Sequence, residues 1–179
     1  MKKLITILLL TLIATTFAAA ASFNIDEHQD VDLKGVDKII FNLNTPNCAI
    51  CISTGNQNYS FTGGGKSGLS LSLEGDLKSN NKKAVPSLIV DENGNTVTVQ
   101  LYKERNLFFG LVQTGSVLFS AVLPEYFNGE IEIKTSSGDS RVDGLNMKSF
   151  YLDSSSGDNH VTSLEAENIE IEASSGEIK

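Results

Sequence analysis

Two cysteines, Cys48 and Cys51 in "NCAIC", have the types and spacing for chemistry. A C-x-x-C pair can be a redox couple, a disulfide or half of a zinc site. A redox couple needs a helix N-terminus to lower the thiol pKa. Here "NCAICIST" alternates as a strand, with Cys48, Ile50 and Ile52 on one face and Cys51 on the other. Residues three apart on a strand are separated by about 10 Å, beyond disulfide reach unless the chain turns locally. Pro46 could encourage such a turn. Two readings stay open, a pair of packed thiols and a local Cys48–Cys51 disulfide. Zinc lacks a second C-x-x-C, and the two histidines, His28 and His160, are remote in sequence.

A second candidate, "GGGKSG" at 63–68, contains Gly-Lys-Ser. A phosphate loop requires a glycine five residues before Gly65, where Ser60 stands, and must lead into a helix whose amides hold the phosphate. This one leads into the alternating run Leu69, Leu71, Leu73. It reads as a strand connection.

The third candidate recurs. Ser136-Ser137-Gly138-Asp139, Ser155-Ser156-Gly157-Asp158 and Ser174-Ser175-Gly176-Glu177 follow one another at 19-residue intervals. Stacked, Asp139, Asp158 and Glu177 would form an acidic edge, and periodic acidic turns can bind calcium. Arg141, His160 and Lys179, two residues on, form a basic column that can neutralise it. Carboxylates about 5 Å apart in water repel by only about 0.8 kcal/mol. The bland reading is therefore preferred: each coil turns the same corner, the glycine supplies a positive φ, and the serine hydroxyls meet exposed backbone amides. No metal or cofactor is expected, and Asp158 should be an exposed edge residue.

The elements that position these residues all read as β. Ile39, Phe41 and Leu43 alternate, as do Val97, Val99 and Leu101, and Asn93-Gly94 marks a hairpin. The polar stretch 75–86 reads as a surface loop, and the crowded apolar segment 105–115 as a strand or loop buried on both sides. From about residue 131 the 19-residue period also governs apolar positions. Ile131, Phe150 and Ile169 share a column, and Ile133, Leu152 and Ile171 share another, with Glu132, Tyr151 and Glu170 outward between them. A fixed period with constant in-and-out phase implies one unit stacked on copies of itself. The expected fold is all-β: a parallel β-solenoid with 19-residue coils at the C-terminal end, preceded by an irregular β-rich part.

Residues 1–21 carry Lys2 and Lys3, an apolar run and small residues, the pattern of a signal peptide cleaved near Ala20 or Ala21. No cysteine there could accept a lipid, so the chain is not expected to be a lipoprotein. Residues 22–34 read as an N-terminal extension and 35–179 as one domain. The formal charge is −8 for the whole chain and −10 without residues 1–21, which disfavours nucleic acid as a partner.

The leucine-proline strand end and the Ser-Gly-Asp repeats in "AVLPEYFNGEIEIKTSSGD" and onward resemble the bacterial putative-adhesin family, a domain of unknown function, over about residues 35–179. The resemblance implies a solenoid-like fold and a surface or envelope role, and carries over no catalytic residues. The expected function is that of an exported, non-enzymatic envelope protein contacting an envelope or host-surface component. An envelope-stress sensing or regulatory domain is the alternative. A polysaccharide-active enzyme is disfavoured because Arg105, Arg141 and the two histidines are scattered. The short third coil suggests self-association through an open C-terminal end, or a truncated longer solenoid.

Overall fold

The structure is a computed structural model describing residues 20–45, 48–55, 68–82, 85–102 and 113–179. Residues 1–19 of the expected signal peptide, the 63–67 part of the glycine-rich loop and the 105–112 part of the apolar segment lie outside these residues.

Twelve strands form two six-stranded sheets. The strands are β1 (Ala21–Asp32), β2 (Lys38–Leu43), β3 (Cys48–Thr54), β4 (Gly68–Ser79), β5 (Ser87–Asn93), β6 (Thr96–Tyr102), β7 (Gln113–Leu123), β8 (Glu130–Thr135), β9 (Ser140–Asp143), β10 (Asn146–Ser154), β11 (Asn159–Thr162) and β12 (Glu165–Ala173). The first sheet runs β1-β4-β7-β3-β9-β11 and the second β12-β10-β8-β2-β6-β5. Both are open. Their inner faces share one core, in which Phe41 of β2 meets Phe119 of β7 edge to face with ring centroids 5.9 Å apart.

Alternation in the sequence becomes alternation in burial. Ile39, Phe41 and Leu43 point inward from β2, and Leu69, Leu71 and Leu73 from β4. Across the second sheet, Val97, Ile39, Ile131, Phe150 and Ile169 stand in one register, on strands β6, β2, β8, β10 and β12, all parallel. The step from β8 to β10 to β12 is 19 residues, and so is the step from β9 to β11. Asn93 and Thr96 close the β5–β6 hairpin, with Gly94 at φ +61°.

Three expectations need correction. Residues 22–34 are no extension outside the domain: β1 pairs antiparallel with β4 from Ala21↔Ser79 to Asp32↔Gly68, and Ile25, Val31 and Leu33 enter the common core. The stretch 75–86 is not all loop, because β4 runs on to Ser79 between β1 and β7 and buries Leu77. Gly75 holds an inward position there without an apolar side chain, which hides the alternation. The part before residue 131 is also more regular than expected. The β2–β3 and β6–β7 pairs stack in parallel beside the later ones, β6–β7 on one flank of β2–β3 and β8–β9 on the other.

Candidate functional site

The repeated corners lie at the junction of the two sheets. Gly138, Gly157 and Gly176 have φ of +109°, +108° and +100°, a region that side chains disfavour. They also stack so closely that a Cβ on Gly157 would run into the carbonyl of Gly138, and one on Gly176 into that of Gly157. Shape and backbone both demand glycine.

The polar residues divide the work differently from expectation. The second serine of each of the two later corners donates to the carbonyl of the first serine one repeat earlier, Ser156 Oγ to Ser136 O at 3.2 Å and Ser175 Oγ to Ser155 O at 3.0 Å. The backbone amides are met by the acids instead. Asp158 N donates to Asp139 Oδ1 and Glu177 N to Asp158 Oδ1, each at 3.1 Å. Asp158 is therefore a half-buried bridging residue rather than a bare edge residue. The basic column meets the acidic one at Lys179, whose Nζ lies 2.6 Å from Glu177. Among the described residues, no group of three or more His, Cys, Asp and Glu side chains could hold a metal ion.

Just inside the corner, Ser140 Oγ bonds Asn159 Oδ1 at 2.5 Å, and Asn159 Nδ2 donates to Gly157 O at 3.2 Å. Asn159 is fully buried, a role that sequence reasoning missed. The signal was available: Ser140 and Asn159 are one repeat apart and precede the inward Val142 and Val161 by the even spacing that keeps them on the same face.

Cys48 and Cys51 are free thiols, Cys48 buried and Cys51 half-buried. Regular β3 geometry sends the two side chains to opposite faces. Burial pushes the Cys48 thiol up to about 11, against a smaller lowering by a hydrogen bond with the Phe119 backbone. Burial also raises the Cys51 thiol; the Arg141 guanidinium opposes this and Asp143 adds to it.

Cys51 belongs to the outer face of the first sheet, where the described residues line a depression of about 510 Å3. Register across four strands places Ser120, Cys51, Arg141 and His160 in one row. A neighbouring row sets Glu74 of β4, Leu118 of β7 and Ala49 of β3 side by side. Leu118, on this outer face, is 43% exposed. The depression thus has an apolar floor (Ala49, Leu118, Val122) with Glu74, Asp139, Arg141 and His160 around it. Such a surface suits recognition through contact area and a few charged anchors. It lacks a nucleophile held by a base or a close carboxylate pair among the described residues.

Two open, face-packed sheets with a stacked column of glycine corners define an all-β domain. The chain belongs to the Toastrack DUF4097 family, whose profile matches residues 48–179. Among solved structures, it is similar to a putative cell adhesion protein from Clostridium sporogenes, at 12% identity over 87% of this chain and 98% of that one, with a TM-score of 0.45. It is also similar to a putative adhesin from Bacteroides fragilis, at 14% identity over 86% of this chain and 78% of that one, with a TM-score of 0.37. No curated protein matches the chain.

Proposed function

We propose that this chain is an exported, non-enzymatic cell-envelope protein that works by contact, as an adhesin-like module binding an envelope or host-surface component. The carrying observation is the outer face of the first sheet, where an exposed apolar floor lies beside the row Ser120, Cys51, Arg141, His160. Signal-peptide patterning of residues 1–21 supports export.

The same reading takes residues 131–179 as successive 19-residue coils of a parallel β-solenoid. Support comes from the parallel registers Ile131↔Phe150↔Ile169 and Ser140↔Asn159.

Two measurements test the proposal. Fractionation of cells producing the tagged chain should recover it outside the cytosol without residues 1–21, and a full-length cytosolic protein would overturn export. Purified protein should bind intact cells or envelope fragments, and Leu118→Asp with Arg141→Glu should lose most of that binding while keeping the wild-type melting temperature. Undiminished binding by the folded double variant would remove this face from the function.

A further inference from the structure

The second sheet ends on β12, which pairs with β10 on one side only; no described strand pairs with its other side. Its inward residues belong to columns that are sealed elsewhere. Ile131 and Phe150 are each 1% exposed, whereas Ile169, the next in the same column, is 51% exposed. Ile178, beside the same end, is 49% exposed. One further strand laid along β12 would complete these columns as β12 completes those beneath it.

Charge narrows what that strand can be. β12 carries Glu165, Glu167, Glu170 and Glu172 and no lysine or arginine. Two coils earlier in the column of Glu170, Glu132 is clasped by Lys38 at 2.7 Å and Lys134 at 2.5 Å. Among the described residues no cation pairs with Glu170 or Glu172. Their negative field reaches Tyr151 of β10, whose phenol is pushed up first by desolvation and then by Asp153, Glu172 and Glu170. A second copy pairing antiparallel through β12 in the register centred on Ile171 would set Glu170 against its counterpart's Glu172, like charges directly opposite, which is unfavourable.

We propose that the outer edge of β12 is a docking strand for an extended basic segment of a partner protein, with lysine or arginine alternating with apolar residues. The apolar side chains would cover Ile169 and Ile171, the basic ones would pair with Glu170 and Glu172, and the free backbone groups would extend the ladder. This edge lies on the second sheet, away from the depression at Leu118 and Arg141, so failure at one surface leaves the other standing.

The test titrates the full chain with a short fluorescent peptide alternating lysine and valine, read by anisotropy at low ionic strength. Three controls accompany it: a peptide of equal charge with proline replacing valine, the pair Glu170→Gln with Glu172→Gln, and the pair Asp91→Asn with Glu92→Gln on β5. The expected result is saturable binding that weakens as salt rises. Binding should fall about tenfold or more in the β12 pair, stay within about twofold in the β5 pair, and vanish for the proline peptide. Equal loss in both pairs, equal binding of the proline peptide, or no binding at all would overturn the proposal. So would sedimentation showing dimers that the β12 pair strengthens, since a second copy would then hold the edge.

Discussion

The carboxylate of Asp158 stands 3.1 Å from the backbone amide of Glu177, one repeat away, while its own amide is 3.1 Å from Asp139 Oδ1. Each acid of the corner thus receives the amide of the next, and the acidic edge stays together through donors already in the backbone. Charge-assisted bonds of this kind are worth about 1.5–3 kcal/mol, and less where water has access. Asp158→Ala should therefore cost about 1 kcal/mol, with Asp158→Asn retaining an acceptor and losing less. Thermal melts check this order, and identical melts for both variants and the wild type would remove the ladder's role.

Gly157→Ala should be far more damaging than Gly94→Ala. Position 157 combines φ +108° with a Cβ collision against Gly138 O, whereas position 94 has φ +61° and open space around it. Strain of the first kind costs on the order of 3 kcal/mol, and the second about 1 kcal/mol. Denaturant midpoints at constant slope would separate the two.

Leu152→Asp should abolish cooperative unfolding of the C-terminal strands, and Ile169→Asp should leave it nearly intact. Leu152 is fully buried and Ile169 is 51% exposed. An unpaired carboxylate in the first position costs at least as much as an unpartnered neutral polar group, about 2–7 kcal/mol. Hydrogen exchange at β8, β10 and β12 reads out both outcomes.

Glu132 gives the second sheet a pH dependence. Hydrogen bonds from Lys134 and then Lys38 hold its carboxyl below the ordinary value of 4.5. A folded pKa below the unfolded one adds stability that is present above pH 4.5 and is lost as the pH falls through the folded value. Glu132→Gln should thus melt below the wild type at neutral pH and converge with it in acid. The gap should be small, since both lysines are partly exposed. A constant gap across the titration would refute the assignment.

Thiol reagents should distinguish the cysteines. Cys51 should be modified slowly in the folded protein and Cys48 only after denaturation, because Cys48 is fully buried with its thiol raised to about 11. Mass spectrometry after labelling under native conditions should find a single adduct, at Cys51.

The sequence disclosed what depends on local parity and on the period. Ile131, Phe150 and Ile169 align by spacing alone, because the 19-residue step preserves inward phase. Gly138 and its counterparts fall at corners for the same reason. Relations between strands without a common period were not legible. Nothing in "NTVTVQL" announces that Val97 and Val99 lie beside Ile39 and Phe41, on the flank opposite Ile131 and Ile133. The row Ser120, Cys51, Arg141, His160 draws on four strands whose spacing in the chain is irregular, so only the register brings the candidate face together. The acids read as solvent-facing charges because a side-chain bond to the next repeat's amide leaves no mark in a hydropathy pattern.

β2 and β3 lie in the middle of their sheets, with β6–β7 on one flank and β8–β9 on the other. The two flanks carry unequal entropic burdens. The contact from Thr54 Oγ1 to Gly144 O spans 90 residues, whereas the parallel pairs β8–β10 and β10–β12 join residues only 19 apart. Logarithmic loop closure makes the first about 1.4 kcal/mol costlier than each of the others. Further repeats therefore add at the smaller closure cost. Deleting 19 contiguous residues across one repeat would shorten the stack without shifting any inward side chain outward, but it would take one member, Arg141 or His160, out of the outer row of the first sheet.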